Sequence, residues 1–471
     1  MENNEIKGWL NLKHNITEKL NELIKEFGFE YLIEYFYLNE SIENVIKQFL
    51  KVQFVNKKCE NIKKIGTFYY RLSNGGIEKV IALLIPIWLN MGYDVYLFLD
   101  EEQTCNEYEL PQNVTRIILP KSGGDRMRVL DKYIKLYNID IVIYHSWMSK
   151  MLFWDLLIIK GNEIPFILYT HGVFSTVYKY RDLQTEYIHL IYKFCDLVLT
   201  LTEVSRQFYC SLGIRSICIT NPIDKALQNV KRSSLNNKNI LWIGRFSDEK
   251  RPMEAIEIFK EVFLRVNDAK LIMVGSENVK IENKIKKFIK KYKLGQNVIL
   301  TGYQRDVLRF YEESSIYLMT SEVEGFSLTL LESKAFGLPC VMYELPYLEL
   351  TKGNKGIVSV EQMNRDALIN ILVDLLTNKM ALYSLGEEAK KSFMEICNID
   401  IEEQWKTIVT MSYKKEIYEE NVMLKVLIQH MNEGTISDVN IYKNSYSYRL
   451  GKLLLKIPQI LLDWILFYKG R

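Results

Sequence analysis

From residue 62 onward, short runs of apolar, β-branched and tyrosine residues alternate with longer stretches whose apolar positions recur every three or four residues. That alternation is expected of strand–helix units winding a parallel sheet. The short runs predict strands at 62–69, 94–99, 115–119, 139–144, 165–169, 196–201 and 216–220. A second series follows at 239–243, 271–275, 298–301, 316–320, 339–343 and 357–360. Several strands end in or just before Gly, Asp, His or Thr, the polar residues found where parallel strands open into a ligand crevice. The polar stretch 231–239, KRSSLNNKN, separates the two series and reads as an interdomain linker. The fold class is therefore α/β, with two Rossmann-like domains in tandem and a cleft between them. In the helix expected at 252–266, Pro252 occupies the first turn and Met253, Ile256, Phe259 and Phe263 share one face.

The two ends of the chain follow other patterns. Residues 1–60 are strand-poor, with Ile16, Leu20, Leu23, Ile24 and Phe27 at helical spacing, followed by Tyr31, Leu32 and Tyr35. They read as a helical preface. Residues 441–471 carry six Lys or Arg and one Asp, interleaved with Leu453, Leu454, Leu455, Ile460, Leu461, Trp464, Ile465 and Phe467. An amphipathic helix of that kind suits a membrane interface, with Lys452, Lys456 and Lys469 meeting anionic lipid. A helix packed on the first domain or on a second subunit fits equally well, and Pro458 interrupts it in either case.

Composition changes this picture little. The 471 residues are 48% hydrophobic and 25% charged, the balance of an ordinary folded chain and not of a disordered or wholly membrane-embedded one. Sixty-one Lys+Arg against 58 Asp+Glu leave a net charge of +3, so no global polybasic attraction to nucleic acid is expected. The seven cysteines are odd in number and never spaced C-x-x-C, which suggests neither a disulfide framework nor a zinc ribbon and fits a reducing compartment. The N-terminal segment lacks the pattern of a secretory signal, and the longest uncharged apolar run, 80–89, is about half a bilayer span. A cytoplasmic protein is expected, with the tail as its route to the inner face of a membrane.

Two constellations carry candidate chemistry. The second domain opens with NILWIGRFSDEKRP, a strand followed by Gly244, Arg245, Ser247, Asp248, Glu249, Lys250 and Arg251 before the helix at Pro252. Gly244 permits a close turn and the helix N-terminus adds positive potential, so Arg245 and Lys250 suit an anionic group such as a phosphate. A solvated strand-to-helix loop is the even-odds alternative. The second constellation, SEVEGFSLTLLESKAFGLP at 321–339, runs from a strand end through Gly325 into a short helix stopped by Gly337 and Pro339. Glu324 in the loop and Glu332 in the helix can both face the crevice, while the amides of Phe326, Ser327 and Leu328 form an anion nest. A carboxylate accepts two hydroxyls at once, as holding a sugar diol requires. Two exposed glutamates would be the commoner reading of that spacing, but the flanking strand, glycine loop and helix stop favour a site. Of five histidines, His145 and His171 follow strand ends. For His145 a packed, structural role is favoured two to one; Gly172 favours His171 as a site residue.

Gly244-Arg245…Glu249-Lys250, then Glu324-Gly325-Phe326-Ser327…Glu332 and Ala335-Phe336-Gly337-Leu338-Pro339, together resemble the retaining glycosyltransferases of family 4, which have the GT-B fold. The resemblance is strong over roughly 236–400. Over 62–225 it is weaker: Gly75-Gly76-Ile77-Glu78-Lys79 resembles the family's glycine-rich first loop and Thr170-His171-Gly172 its histidine turn. Asn221-Pro222-Ile223-Asp224 is similar to the motif closing its first domain, with Pro222 a variation.

The resemblance implies an acceptor domain at 61–230 and a donor domain at 236–400, flanked by the extension 1–60 and by C-terminal helices and tail at 401–471. It implies that Arg245 and Lys250 clamp the diphosphate of a nucleotide sugar, that Glu332 holds the ribose, and that Glu324, Gly325 and the amides of Phe326, Ser327 and Leu328 orient the donor sugar. His171 would lie near the forming bond, and Gly76 and Gly244 would let backbone approach the phosphates. The function expected is retaining transfer of a hexose from a UDP- or GDP-linked donor to a glycan or lipid-linked glycan of the cell envelope or an exopolysaccharide. No cofactor is expected, the nucleotide sugar being a co-substrate. The chain has no D-x-D pair to hold a divalent metal, so metal independence is expected. The rivals are a non-catalytic nucleotide-sugar-binding partner of a transferase complex and a phosphorylase or sugar-phosphate synthase of related architecture. The residues leave oligomeric state open.

Overall fold

In the computed structural model the described residues are 29–413, apart from 51, 53, 58–60, 74, 147–148, 180–186 and 354. The expected helix of Ile16 to Phe27 and the amphipathic tail 441–471 lie outside them.

Thirteen parallel strands are present among the described residues, each where an apolar run predicts one. The first seven are β1 (Lys64–Phe68), β2 (Asp94–Leu99), β3 (Thr115–Ile118), β4 (Ile141–Ser146), β5 (Phe166–Thr170), β6 (Leu197–Thr200) and β7 (Ser216–Cys218). They form one sheet in the order β3-β2-β1-β4-β5-β6-β7. The other six are β8 (Asn239–Ile243), β9 (Lys270–Val274), β10 (Val298–Gly302), β11 (Ile316–Met319), β12 (Cys340–Tyr343) and β13 (Ile357–Val360). Their order is β10-β9-β8-β11-β12-β13. Every residue of β5, β6, β11 and β12 is buried, because helices cover both faces of each sheet and leave no strand side for polar residues.

Local differences from the sequence expectation have physical causes. β4 runs two residues beyond 144 because its register continues along β5, His145 opposite Tyr169 and Ser146 opposite Thr170. His145 therefore lies inside a strand and not after one. The helix Pro252–Arg265 does begin on its proline, but its buried stripe is Ala255, Ile256, Ile258, Phe259 and Val262. Met253 and Phe263 flank that stripe, half-buried. The segment 231–239 is no loose tether. The amide of Ser233 donates to the Phe336 carbonyl at 3.0 Å, its hydroxyl donates to the Ser314 carbonyl at 2.5 Å, and Leu235 is buried.

The helix Phe29–Asn39 lies against the first sheet's helices, with Tyr37 edge-on to Trp154 at 5.2 Å, and the helix Ile42–Phe49 packs on it through Phe49, edge-to-face with Phe36 at 5.9 Å. The helix Ile401–Ser412 returns to the same half of the molecule. Its Trp405 meets Trp88 edge-to-face at 4.9 Å, and Gln404 exchanges hydrogen bonds with the Thr220 backbone at 3.1 and 3.0 Å. Among the described residues no single helix is long and apolar enough to cross a membrane.

Candidate active site

Both sheets reverse their winding once, between β1 and β4 and between β8 and β11. Parallel sheets of this order bind ligands outside the strand carboxyl ends at that reversal. The residues singled out from the sequence lie there. Gly76 follows β1, His145 is the last but one residue of β4, and His171 follows β5. Gly244 to Lys250 follow β8, and Glu324 to Glu332 follow β11.

In the second domain, Gly244 sits against the loop after β9. Gly275 there has φ +135°, and a Cβ on it would lie 1.9 Å from the Gly244 carbonyl oxygen, so only glycine lets these two loops meet. Thr320 then pins the loop after β8 to the end of β11: its hydroxyl lies 2.9 and 3.0 Å from the Lys250 and Arg251 carbonyls and accepts from the Trp242 indole at 3.0 Å. This fixes Lys250, whose ammonium reaches Glu324 Oε1 at 2.5 Å. The Ser321 hydroxyl donates to the same oxygen at 2.7 Å, and the Glu324 amide donates to the Tyr347 hydroxyl at 3.3 Å. Arg245 does not join Lys250. Its guanidinium pairs with Glu249 at 2.8 Å and stands 3.5 Å from Glu277, lining an open groove of about 640 Å³ with Ser247, Asp248 and Lys280. The two cations do not converge, because each is turned to a carboxylate of its own domain, Arg245 to Glu249 and Lys250 to Glu324.

The loop after β11 is conformationally costly. Ser327 precedes the helix Leu328–Ala335 with φ +65°, a left-handed conformation that side chains rarely adopt, and its hydroxyl does not cap the helix. Its hydroxyl instead lies 3.5 Å from the Met319 sulfur. Phe326 buries its ring in the core behind the loop. Gly325 touches the other domain: a Cβ there would stand 1.9 Å from the His171 carbonyl oxygen. Leu328 also faces the first domain, its Cδ1 3.7 Å from where a Gly76 Cβ would be.

Glu332 is almost wholly buried, and both its oxygens have partners. Tyr311 donates to Oε2 at 2.8 Å, and Lys79 of the first domain's glycine-rich loop reaches Oε1 at 2.6 Å. Burial opposes the Lys79 charge, yet Glu332 wins and holds its pKa above the ordinary lysine value. Neither Lys79 nor Tyr311 was singled out from sequence as a site residue. Lys79 lay within the quoted glycine-rich motif, but nothing along the chain links it to a glutamate 253 positions away.

His171 and His145 form a pair, His145 Nδ1 lying 2.9 Å from His171 Nε2. Tyr169 stacks on His171 at 4.3 Å and donates to Asn221 at 2.5 Å. Burial pushes the His171 pKa down to about 3, and burial with the neighbouring His171 pushes His145 well below the usual histidine value. Both rings are neutral at pH 7. His145 Nε2 is buried and has no partner among the described residues, beside a cavity of about 130 Å³ lined by Tyr69, Tyr70, Asp100, Arg126 and Ser149. Arg126 holds that wall together through a two-pronged contact with Asp155 at 2.8 and 2.7 Å and another with Asp100 at 2.6 Å.

Residues 224–392 match the family model of glycosyl transferases group 1, and residues 74–227 match that of glycosyltransferase family 4. An uncharacterised glycosyltransferase of Haemophilus influenzae is 28% identical over 74% of this chain and all of its own length. The N-acetylgalactosamine-N,N'-diacetylbacillosaminyl-diphospho-undecaprenol 4-alpha-N-acetylgalactosaminyltransferase of Campylobacter jejuni is 24% identical over 70% of this chain and 94% of its own. Among solved structures, sucrose-phosphate synthase from Thermosynechococcus elongatus superposes with a TM-score of 0.63 at 16% identity, covering 74% of this chain and 98% of that one. Anabaena HepE in complex with UDP gives a TM-score of 0.62 at 15% identity, covering 74% and 100%. With the motifs and the paired sheets, these matches make the chain a member of the group 1 glycosyltransferases, with the GT-B fold.

Proposed function

We propose that the protein transfers a hexosyl group from a UDP- or GDP-linked donor to a glycan or lipid-linked glycan of the cell envelope, with retention at the anomeric carbon and without a metal ion. The observation that carries this reading is the placement of Lys250, Glu324 and Glu332 at one winding reversal, against the Gly76 and His171 loops of the other domain. In this reading Lys250 and Arg245 hold the diphosphate, Glu332 the ribose, and Glu324 with the amides of Phe326, Ser327 and Leu328 the donor sugar. Gly76 and Gly244 give the phosphates room at the backbone.

The anomeric C–O bond breaks and its electron pair leaves with the diphosphate, whose growing charge the cations neutralise. The acceptor oxygen bonds on the same face and gives its proton to the departing phosphate oxygen. His171, neutral and already engaged by His145, is a poor base and serves by placing the sugar. The cavity beside His145, with Asp100 and two tyrosines, has the chemistry to seat a sugar ring of the acceptor.

Relatives support the substrate class. The Campylobacter enzyme and the UDP-Gal:alpha-D-GlcNAc-diphosphoundecaprenol alpha-1,3-galactosyltransferase of Escherichia coli, 20% identical over 65% of this chain, are both named for lipid-linked glycans. Both are also named for alpha linkages, the product of retention from an alpha-linked donor. In this reading the protein works at the cytoplasmic face of the membrane, with 441–471 as its contact to lipid.

The test is a transfer assay on lipid-linked glycan acceptors with UDP- and GDP-sugars, for wild type and Lys250→Ala, with and without excess chelator. Turnover that survives chelator and falls at least a hundredfold in Lys250→Ala is expected. Wild-type turnover in the variant sinks the clamp, loss of activity in chelator sinks metal independence, and donor binding without turnover favours a non-catalytic partner.

A further inference from the structure

We propose that Lys79 is a donor-binding residue that changes partners: it leaves Glu332 for the donor's diphosphate when the ribose takes its place. The proposal deepens the reading above and rests on Glu332 as the ribose carboxylate.

Lys79 belongs to the first turn of the helix Gly76–Asn90, at the winding reversal of the first sheet. Its ammonium crosses to the second domain and sits 2.6 Å from Glu332 Oε1. The acidic residue beside it on the same turn, Glu78, is taken by Arg71 at 3.3 Å. Lys79 is therefore the cation that this loop presents to the donor domain. On the other side, Glu332 Oε2 is held by Tyr311, whose side chain has no exposed surface. With Oε2 held from the buried side, the oxygen that a ribose diol approaching Glu332 meets is Oε1, where Lys79 already sits.

The consequence follows from charge. The Lys79 side chain is 21% exposed and that of Glu332 is 6% exposed, so a displaced ammonium is not simply returned to water. A poorly solvated charge without a counter-charge is costly, and among the described residues the groups facing Lys79 with negative charge are Glu332 and, more weakly, Asp224. A nucleoside that takes Oε1 strands the lysine. A nucleoside diphosphate brings a new anion into the same crevice, where the N-terminus of the helix Leu328–Ala335 and Lys250 already favour one. Lys79 thus makes ribose recognition depend on the phosphates, and a direct bridge between domains becomes one that passes through the donor.

The experiment compares dissociation constants for uridine against UDP and guanosine against GDP, by a competition method that reaches millimolar affinity, in wild type, Lys79→Met and Lys79→Arg. If wild type binds neither UDP nor GDP, the nucleotide-sugar reading itself fails and the lysine is not at issue. If it binds one, the ratio of nucleoside to diphosphate dissociation constants should shrink at least tenfold in Lys79→Met. The diphosphate should weaken while the bare nucleoside holds or tightens. Lys79→Arg should keep the ratio within a few-fold of wild type. A ratio in Lys79→Met equal to or larger than wild type, including parallel weakening of both ligands, overturns the proposal. Should the lone carboxylate unfold Lys79→Met, the double variant Lys79→Met, Glu332→Gln removes it. Its UDP or GDP affinity is then read against Glu332→Gln alone, where at least tenfold weakening is expected and equality overturns the proposal.

Discussion

At the scale of single residues, the histidine pair has a cost that can be measured. Both imidazoles titrate below the unfolded value of about 6.5, so the unfolded chain binds more protons than the folded one as pH falls through 6.5. Stability is full above that pH and declines toward pH 3, by up to about 1.4 kcal/mol per pH unit for each histidine. In His145→Phe the slope of unfolding free energy against pH, from urea titrations between pH 7 and 5, should flatten; parallel slopes would show that the pair does not set it. His145 itself shows where sequence reading stops. Its sequence context favours a packed residue, and the ring is buried, but its contact with His171 is not legible there because the register of β4 on β5 creates it. Lys79 and Tyr311 escaped for the same reason. Each is ordinary in its own segment and acquires a partner only when strand order brings Glu332 to it.

At the scale of elements, glycines and one serine shape the loops after β8 and β11. Gly325→Ala places a Cβ 1.9 Å from the His171 carbonyl, backbone that cannot swing aside, so the loop must move away from the first domain. Transfer should fall at least tenfold with donor affinity reduced, as read from kcat/KM and nucleotide titration; an unchanged enzyme would mean that the two loops do not need this contact. Ser327 pays for its left-handed backbone without capping the helix it precedes. Ser327→Gly should therefore raise unfolding free energy by roughly 1 kcal/mol, and a loss in denaturant titration would show that its hydroxyl contacts matter more than the strain. These loops were legible in outline, because Gly-x-x-helix signals survive in sequence. Their partnership with the first domain was not, since a glycine announces room for a neighbour without naming it.

At the scale of the whole molecule, the thirteen strands among the described residues could be placed from sequence, most plainly the inner ones β5, β6, β11 and β12, because strands buried on both faces appear as unbroken apolar runs. What sequence could not place was the helix Ile401–Ser412, grouped with the C-terminal tail by position. Its indole packs on Trp88 of the first half, with the rest of the apolar stripe completed by Ile408 and Val409. Trp405→Ala should cost about 3–5 kcal/mol, the usual range for emptying a large buried aromatic site. A melting temperature within a degree or two of wild type would show that this return packing is dispensable.

That returning helix also means that the polypeptide passes between the two sheets twice, once after β7 and once after the helix Lys379–Cys397. A pair of bodies joined by one strap can swivel freely, whereas two straps leave a single easy rotation, about the line through both crossings. A rotation that parted the Gly325 and His171 loops would have to run about that line, as a door turns on two hinges.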